Sequence, residues 1–513
     1  MRQTRALPSH IDGYGPVRPF TGIEPAPAIV SRTATRACPA AAGRDKLLRD
    51  LGAAFDACGI ESGMTLSFHH HLRNGDQVLN AVLAVAAGRG LTDLSIAPSS
   101  LFPVHAPLIE HMRRGVVTGL STAYVAGPVA HALSRGVLAR PMVMYTHGGR
   151  ARAIESGELR IDVAFVAAPA ADRHGNLSGA EGPAACGPLG YAMVDAQYAD
   201  RVVAVTDHLC PHPLCPIDIS QDQVDFVVGV DSIGDPRGIL SGTTRPTTEP
   251  VGLRIASTAA QVIAASGLLR EGFSFQTGAG GVSIATSLYV KSLMTERRVQ
   301  GGFGAGGVTA YLVDMLEAGL FRTVFDVQCF DPKAVESYRS DPRHQAMSAS
   351  LYANPHNRGP LVDQLDAMLL GAAELDLDFN VNVTTGAGGV ILGGSGGHAD
   401  TAAGAKLALV TTRLAASAGP KIVERVGCIT TPGETIDAVV TEAGVAVHPS
   451  RGDLRDRLRS AGIEVLGIEQ LHARAQALAA PAQARAPRSD DARIVGVLEY
   501  RDGRVIDVIR QVD

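Results

Sequence analysis

Short apolar runs alternate with stretches of helical spacing along the first half of the chain. Residues 44–58 have helical spacing, with Leu47, Leu48, Leu51 and Phe55 on one face and Gly59 as a stop. A second helix is predicted at 78–87, and strands are predicted at 64–68, 91–97, 116–119, 143–145, 163–166 and 202–206. Short strands that alternate with helices indicate a parallel sheet with crossover helices.

A second block of similar layout follows the turn-rich segment 241–246 (SGTTRP), which we interpret as a domain boundary. A helix over about 250–269 precedes a strand at 273–277, and a glycine loop then follows. Residues 63–68 (GMTLSF) and 272–277 (GFSFQT) occupy corresponding places in the two blocks. The pattern therefore predicts an α/β protein with two tandem, related parallel-sheet domains, at 44–241 and 246–480.

Both ends of the chain depart from this layout. Residues 1–43 hold several prolines and arginines but no apolar stretch of the kind found in secretion signals, so we expect an irregular arm on the body or on a partner. Residues 475–491 are typical of a helix end followed by a linker. Residues 494–513 alternate around Asp502-Gly503, which predicts a β-hairpin at a sheet edge or a subunit contact.

The composition supports buried sheets and excludes several classes of function. The 513 residues are 46% hydrophobic and 19% charged, enough to build the cores of two to four domains. A net charge of -5 and an aromatic content of 4% argue against nucleic-acid binding. No stretch reaches the roughly 20 apolar residues of a membrane span. Seven scattered cysteines are typical of reduced thiols in a cytoplasmic protein.

The pentapeptide Gly-Ala-Gly-Gly-Val occurs at 278–282, 304–308 and 386–390, and a further glycine cluster ends at His398. We expect these segments to be loops at the ends of strands. Glycine there lets backbone N–H groups approach an anion or an oxyanion closely. The predicted backbone donors are Gly280, Gly281, Gly306, Gly307, Gly396 and Gly397.

Three adjacent histidines, His69, His70 and His71, follow the first predicted strand. Its carboxyl end is where α/β sheets bind ligands. Alternate side chains of a strand point to opposite sides, so only one or two of the three can face a site. The candidates for contact with an anionic substrate are His69, His70, Arg73 and His398. The alternative is that they form structural hydrogen bonds within their loops.

Three other motifs match known patterns only formally. Residues 302–307 (GFGAGG) satisfy G-x-G-x-x-G, but no apolar strand precedes them, which argues against a dinucleotide site. Residues 208–215 (HLCPHPLC) hold four potential zinc ligands without a C-x-x-C pair, which favours an incidental loop. Ser395 lies in a G-x-S-x-G match inside a glycine-rich run, where chance matches are expected. We predict no metal site and no cofactor bound by this chain.

Long strings in a fixed order resemble the citrate lyase alpha-subunit family, the citrate CoA-transferase chain. The resemblance covers about 43–512, and its main strings are 67–76 (SFHHHLRNGD), 99–101 (SSL), 105–108 (HAPL), 146–150 (THGGR), 156–165 (SGELRIDVAF), 379–383 (FNVNV), 395–402 (SGGHADTA) and 500–508 (YRDGRVIDV). The segments 396–406 and 439–447 also resemble second-half motifs of the wider CoA-transferase superfamily. The resemblance implies a CoA-transferase fold in each half.

The resemblance also implies a reaction. Superfamily members carry a nucleophilic Glu in a Glu-Asn-Gly motif, whereas the corresponding segment here, 299–305 (VQGGFGA), has no Glu. This implies direct transfer through a mixed anhydride, without an acyl-enzyme, in which acetyl-carrier and citrate give acetate and citryl-carrier.

The implied partners are an acyl carrier (gamma) subunit bearing a CoA-like phosphopantetheine arm and a lyase (beta) subunit, in a cytoplasmic oligomer. Three alternatives remain open at this point. They are a thioester hydrolase that uses Ser395, a transferase for another acid such as citramalate, and a non-catalytic scaffold that docks the other subunits.

Overall fold

Two large sheets, one in each half of the chain, form the framework of the computed structural model. It describes residues 5–25, 27–35, 45–240, 245–278, 280–479 and 491–513. Residues 241–244 of the predicted boundary, residue 44 and most of the predicted linker (480–490) lie outside the described residues.

The first sheet has ten strands. All neighbouring pairs are parallel except the terminal hairpin pair. In spatial order the strands are Val505–Arg510, Ile494–Glu499, Met142–Met144, Val117–Thr122, Leu94–Pro98, Thr65–Phe68, Val163–Ala168, Arg201–Thr206, Phe226–Gly229 and Leu47–Leu48. Strands such as Val163–Ala168 are buried along their whole length, as expected when helices cover both faces of a parallel sheet.

The second sheet has nine strands. In spatial order they are His344–Ala346, Phe321–Cys329, Gly301–Val308, Ser274–Thr277, Ala367–Gly371, Ala408–Thr411, Ala438–Thr441, Gly444–Val447 and Val465–Leu466. Only the pair Ala438–Thr441 and Gly444–Val447 is antiparallel. Short strands at 170–178, 209–210, 374–382 and 415–423 form small accessory sheets beside the two large ones.

The two sheets share one strand order, which confirms the expected α/β architecture with two related parallel sheets. Apart from edge strand Leu47–Leu48 and the C-terminal hairpin, which extend the first sheet at its two edges, each half starts at a central strand, adds three strands toward one edge, and then returns to the other side of the central strand. The central strands are Thr65–Phe68 and Ser274–Thr277. Such a reversal is where open α/β sheets bind ligands, just beyond the carboxyl ends of the strands.

The helices pack on the faces of the sheets and against one another. They are Leu51–Cys58, Val78–Gly88, Leu108–Arg113, Pro128–Ser134, His147–Ser156, Gly190–Tyr198, Pro250–Ala265, Gly281–Arg297, Ala310–Glu317, Pro332–Ser340, Ala349–Ala353, His398–Gly404, Gly452–Ser460 and Ile468–Leu478. No helix among the described residues is long and apolar enough to cross a membrane.

Two sequence predictions of local structure were wrong. The expected helix over 44–58 is split, because Leu47–Leu48 pairs as an edge strand and the helix begins at Leu51, after Asp50 caps it by accepting from Ala53 N–H. The second Gly-Ala-Gly-Gly-Val copy is not a loop, because it lies inside strand Gly301–Val308 between two parallel neighbours. Helical spacing and glycine content do not report strand pairing, which is a tertiary contact.

The C-terminal hairpin is present as predicted, with Gly503 at its turn at φ 86°. Its first strand pairs with Met142–Met144, so the end of the chain completes the edge of the first sheet. The described part of the N-terminal arm lies along the hairpin, where Phe20 N–H donates to Val505 O and Val505 N–H donates to Arg18 O. The Phe20 ring also packs on Tyr500, with 4.7 Å between ring centres.

A buried ion pair ties two helices to the central strand of the first sheet. Arg150 donates to both oxygens of Asp195, each at 2.8 Å, and also to the hydroxyl of Ser67. His69 Nε2 lies 3.2 Å from the same carboxylate. Burial alone would raise the pKa of Asp195, but Arg150 and His69 hold that pKa below its usual range.

We expect Asp195→Ala to lower the free energy of unfolding by about 3–5 kcal/mol, because it leaves the Arg150 guanidinium buried and unpaired. Chemical denaturation followed by circular dichroism measures this. The exposed ion pair of Asp56 and Arg89 provides a control, and Asp56→Ala should change stability far less. Equal effects of the two substitutions would contradict a structural role for the buried pair.

Candidate active site

The three adjacent histidines lie just beyond the central strand of the first sheet, and all are buried. Their rings face different surroundings. His69 joins the Asp195 ion pair. His70 contacts two serines after the neighbouring strand, with Nδ1 2.6 Å from Ser99 Oγ and Nε2 3.5 Å from Ser100 Oγ. Neither ring nitrogen of His71 has a hydrogen-bond partner among the described residues.

His70 belongs to a stacked group with Tyr191 and His147. The ring centre of Tyr191 is 4.6 Å from that of His70 and 4.6 Å from that of His147. Burial lowers the pKa of His71 and of His147 to about 3, and it lowers the pKa of His70 well below its usual value. These imidazoles are therefore neutral at physiological pH and act as hydrogen-bonding groups, not as cations.

Arg73 supplies the positive charge that the histidines do not. Its backbone has φ 51°, in the left-handed region, and its guanidinium is buried between two rings. The Cζ atom lies 5.0 Å from the ring centre of Phe102 and 4.7 Å from that of Phe330. Burial lowers the pKa of Arg73, yet a guanidinium stays charged at neutral pH. Phe102 belongs to the first half and Phe330 to the second, so Arg73 lies where the halves meet.

The second half contributes a β-bulge to this place. The pairing of strands Gly301–Val308 and Phe321–Cys329 shifts between Gly306 and Gly307. Gly306 has φ 108°, and a Cβ there would lie 2.5 Å from Gln276 Nε2. A Cβ on Gly307 would lie 2.3 Å from the Phe330 ring. Bulges of this kind often lie beside active sites, where they redirect neighbouring side chains.

The extra residue of the bulge is Val327 on strand Phe321–Cys329, and the neighbouring Asp326 fixes the bulge. Its Oδ1 accepts from the N–H groups of Val308 and Gln328, and its Oδ2 accepts from His344 and Cys329, both at 3.1 Å. The Gln328 amide then crosses to the first half and donates to His70 O at 2.7 Å. Asp326, Cys329 and His344 are close enough to share a metal ion, but their mutual hydrogen bonds already explain why they are buried together.

The glycine run at 393–397 lies between the halves. Gly396 N–H donates to Ala123 O, and Gly396 O accepts from His147 N–H at 2.8 Å, so the amide of Gly396 is already used by the protein. No hydrogen bond to another described residue occupies the N–H of Gly397. A Cβ on Gly397 would lie 2.4 Å from the hydroxyl of Tyr352. Among the described residues, none uses the Gly397 N–H as a donor, in contrast to that of Gly396.

The remaining predicted residues have simpler positions. Gly280 and Gly281 begin the 17-residue helix Gly281–Arg297, which follows the central strand of the second sheet, and a helix N-terminus attracts anions. His398 is half-buried and both of its ring nitrogens are engaged, since Nε2 donates to Gly371 O and Nδ1 contacts Thr431 Oγ1. Burial lowers the pKa of His398 to about 4. In this structure His398 is a neutral bridge within its own half.

Comparisons with known proteins show the family to which this chain belongs. Residues 44–512 match the family model described as "Citrate lyase, alpha subunit (CitF)". The chain is 47% identical over 467 residues to the citrate lyase alpha chain of Escherichia coli K12, covering 91% of each protein. It is 44% identical over 491 residues to the citrate lyase alpha chain of Klebsiella pneumoniae, covering 96% of each.

The chain belongs to the citrate lyase alpha-subunit family.

Solved structures extend this result. A crystal structure of the putative alpha subunit of citrate lyase from Streptococcus mutans, in complex with citrate, is 43% identical and superposes with a TM-score of 0.92 over 96% of each chain. A Pseudomonas malonate decarboxylase hetero-tetramer contains a chain of the same fold, at 19% identity and a TM-score of 0.63.

The sequence did not point to several residues that the structure brings to the region around Arg73 where the two halves meet, which we call the joint. They are His147, Tyr191, Gln276, Gln328 and Tyr352. Buried polar atoms normally have hydrogen-bond partners. His147 Nδ1, Gln276 Oε1 and Gln328 Oε1 have none among the described residues, as is also true of His71. His147 lies within the string 146–150 that resembles the family, but the other four carry no local signal because separate strands and helices supply them.

The competing motifs do not form sites. Residues 302–307 lie within a strand, so they are not the turn before a helix that a dinucleotide needs. In the segment 208–215, His212 bonds to Asp172 instead of joining a cluster with Cys210 and Cys215. Ser395 Oγ accepts from Ala399 N–H, and the nearby ring of His398 is already engaged. His398 is therefore not available to activate Ser395 as a nucleophile.

The depressed pKa of His71 predicts acid sensitivity. An unfolded histidine titrates near 6.5 whereas His71 titrates at about 3, so between these values the unfolded chain binds the additional proton. The contribution of neutral His71 to the free energy of unfolding is therefore fully present above about pH 6.5. It falls as the pH drops below that value, by up to about 1.4 kcal/mol per pH unit.

Denaturation curves at about pH 7.5 and about pH 5.5 test this. We expect His71→Leu to lose about 1 kcal/mol less than the wild type between the two conditions. The exposed His10→Leu serves as the control and should lose as much as the wild type. An identical pH dependence in His71→Leu and the wild type would show that His71 is not buried in its neutral form.

Proposed function

We propose that the chain is the citrate CoA-transferase subunit of a citrate lyase. It exchanges acetyl for citryl on the thiol of a carrier protein, so that acetyl-carrier and citrate give acetate and citryl-carrier. The observation that carries this proposal is the 96% mutual coverage with a homologous chain whose crystal structure contains citrate. Under this proposal the chain works in the cytoplasm with an acyl carrier bearing a phosphopantetheine arm, and with a lyase subunit.

The charge distribution at the joint supports a carboxylate-rich substrate. Arg73 is a buried guanidinium close enough to His70 to help lower the pKa of that imidazole, and the imidazoles of His70, His71 and His147 are neutral. A cation in a low-dielectric site attracts a carboxylate strongly, and neutral imidazoles can donate hydrogen bonds to the remaining oxygens. Citrate, a trianion with a hydroxyl group, offers acceptors for all of these groups.

The chemistry needs two successive acyl substitutions. A citrate carboxylate oxygen attacks the acetyl thioester carbonyl. The C–S bond then breaks, which releases the carrier thiolate and forms a citryl–acetyl mixed anhydride. The thiolate then attacks the citryl carbonyl of the anhydride, and acetate departs. No proton changes hands overall, and each step passes through a tetrahedral oxyanion that hydrogen-bond donors stabilise.

The protein contributes mainly by holding the two acyl groups together. Both halves form the site. Gln328 pairs with Gly307 next to the bulge, and its side-chain amide donates to His70 O in the first half. Proximity of this kind supplies a large part of the rate in reactions that join two bound partners. The segment 299–305 contains no Glu that could form an acyl-enzyme. This supports direct transfer.

Direct transfer predicts the outcome of a trapping experiment. Incubation of the full chain with acetyl-CoA or acetylated carrier, followed by hydroxylamine or borohydride, should leave no modified side chain by mass spectrometry. With citrate present, acetate and a citryl thioester should appear together in equal amounts.

A trapped glutamyl adduct contradicts direct transfer. Acetate release that does not depend on citrate would indicate a thioester hydrolase. Transfer to citramalate or another acid, but not to citrate, would show that citrate is not the acceptor.

The bulge provides a second prediction. Gly306→Val should lower kcat roughly tenfold or more with the fold retained, because Val cannot adopt φ 108° and its Cβ would displace Gln276. Gly388 belongs to the third copy of the pentapeptide and has no atom within 4 Å of a Cβ position, so Gly388→Val is a matched control. Steady-state kinetics with circular dichroism measure both. An unchanged rate for Gly306→Val would remove the bulge from the site.

A further inference from the structure

Tyr352 and Gln276 form a buried pair where the two halves meet, and the mechanism above assigns neither side chain a contact with the reacting groups. Tyr352 lies on the short helix Ala349–Ala353, which packs against helices His147–Ser156 and Gly190–Tyr198 of the first half. Gln276 lies on the central strand of the second sheet. The Gln276 side-chain amide donates to the Tyr352 hydroxyl at 2.7 Å.

The pair retains a hydrogen-bond donor that the protein does not use. Because the amide nitrogen can only donate, the phenol oxygen accepts and its own hydrogen points elsewhere. No described residue accepts from that hydroxyl, and Gln276 Oε1 also lacks a partner. If the amide were turned over, Tyr352 would donate to Oε1 and the amide N–H groups would become the free donors. Either orientation leaves at least one donor without a partner among the described residues.

Two glycines make room for the pair. A Cβ on Gly397 would lie 2.4 Å from the Tyr352 hydroxyl, and a Cβ on Gly306 would lie 2.5 Å from Gln276 Nε2. The backbone of Gly397 therefore lies against the phenol hydroxyl, and no described residue accepts from the N–H of Gly397. Phenol hydroxyls and backbone N–H groups are both donors found in oxyanion holes.

Burial keeps the phenol in its donor form. Tyr352 is enclosed on all sides, and this burial raises its pKa well above the usual value for tyrosine. It therefore stays protonated at physiological pH. The hydrogen bond that it accepts from Gln276 polarises its O–H group and fixes the direction in which the hydrogen points.

We propose that Tyr352, oriented by Gln276, donates a hydrogen bond to the oxyanion that forms at the acyl carbonyl during the exchange. This inference rests on the function proposed above. When a carboxylate oxygen, or later the thiolate, attacks the carbonyl, the carbonyl electron pair moves onto oxygen, and the phenol hydrogen stabilises that charge without transferring. Collapse of the intermediate returns the pair to the carbonyl and expels thiolate or acetate.

The decisive variant is Tyr352→Phe, which keeps the ring and removes only the hydroxyl. We expect kcat for citrate-dependent exchange to fall by roughly 10²–10³-fold, the usual effect of losing one oxyanion donor. The KM for citrate should stay within about twofold, since the bond strengthens only in the transition state. Gln276→Leu should lower kcat by a smaller factor, because the phenol remains but loses its orientation.

Tyr198→Phe provides a matched control, because Tyr198 lies at the opposite end of helix Gly190–Tyr198 from Tyr191 and outside the site. It should leave kcat unchanged. Thermal unfolding of all variants separates a catalytic loss from misfolding. A Tyr352→Phe enzyme with wild-type kcat, or with a loss confined to KM, would overturn the inference alone. A wild-type chain that catalyses no exchange would overturn the proposed function, and the inference with it.

Discussion

The two halves of this protein can share a site only because glycines let their backbones touch. A Cβ on Gly148 would lie 2.0 Å from Ala353 O, one on Gly394 would lie 2.4 Å from Ala123 O, and one on Gly190 would lie 2.4 Å from Met347 O. No side chain fits at such distances, so any other residue would force the halves apart. The hydrogen bonds that cross the joint, such as those of Gln328 with His70 and of Gly396 with His147, depend on this closeness.

A buried carboxylate reinforces the joint. Asp400, at the start of helix His398–Gly404, accepts from Thr146 Oγ1 at 2.8 Å and from Gly148 N–H at 2.9 Å, both in the first half. Burial raises the pKa of Asp400 to about 6, although Arg501 opposes the shift. Asp195 and Asp326 likewise anchor the histidine and bulge segments. Buried polar networks can specify one arrangement of a core, and here they hold the first-half histidines opposite the second-half glycines.

The internal duplication explains how one chain builds such a site. In both sheets the strand order reverses at a central strand, and the carboxyl end of that strand contributes to the site. The two halves place different residues there. The first half supplies His70, His71 and Arg73, and the second supplies Gln276, Tyr352 and the bulge at Gly306. One side thus carries charge and imidazole while the other carries small residues and neutral donors. This division suits a reaction in which an anion is bound on one side and a developing oxyanion is stabilised on the other.

The sequence by itself determined the α/β class, the duplication, the hairpin around Gly503, the family, and the importance of the histidines and glycines. These features depend on periodicity, turn chemistry and long ordered strings, which are local properties of the chain. Only the tertiary structure decided what the glycines do. Gly306 and Gly307 lie in a strand because of pairing with distant residues, and Gly396 gives its N–H to Ala123.

The same limit applies to charge and to the residues that were missed. His70 and His398 are neutral because burial lowers their pKa values, and burial depends on every neighbour in space. Tyr352 and Gln276 are 76 positions apart, so no spacing rule could have joined them. The sequence identified which segments matter, whereas contacts between the halves decided which atoms remain free to bind a ligand.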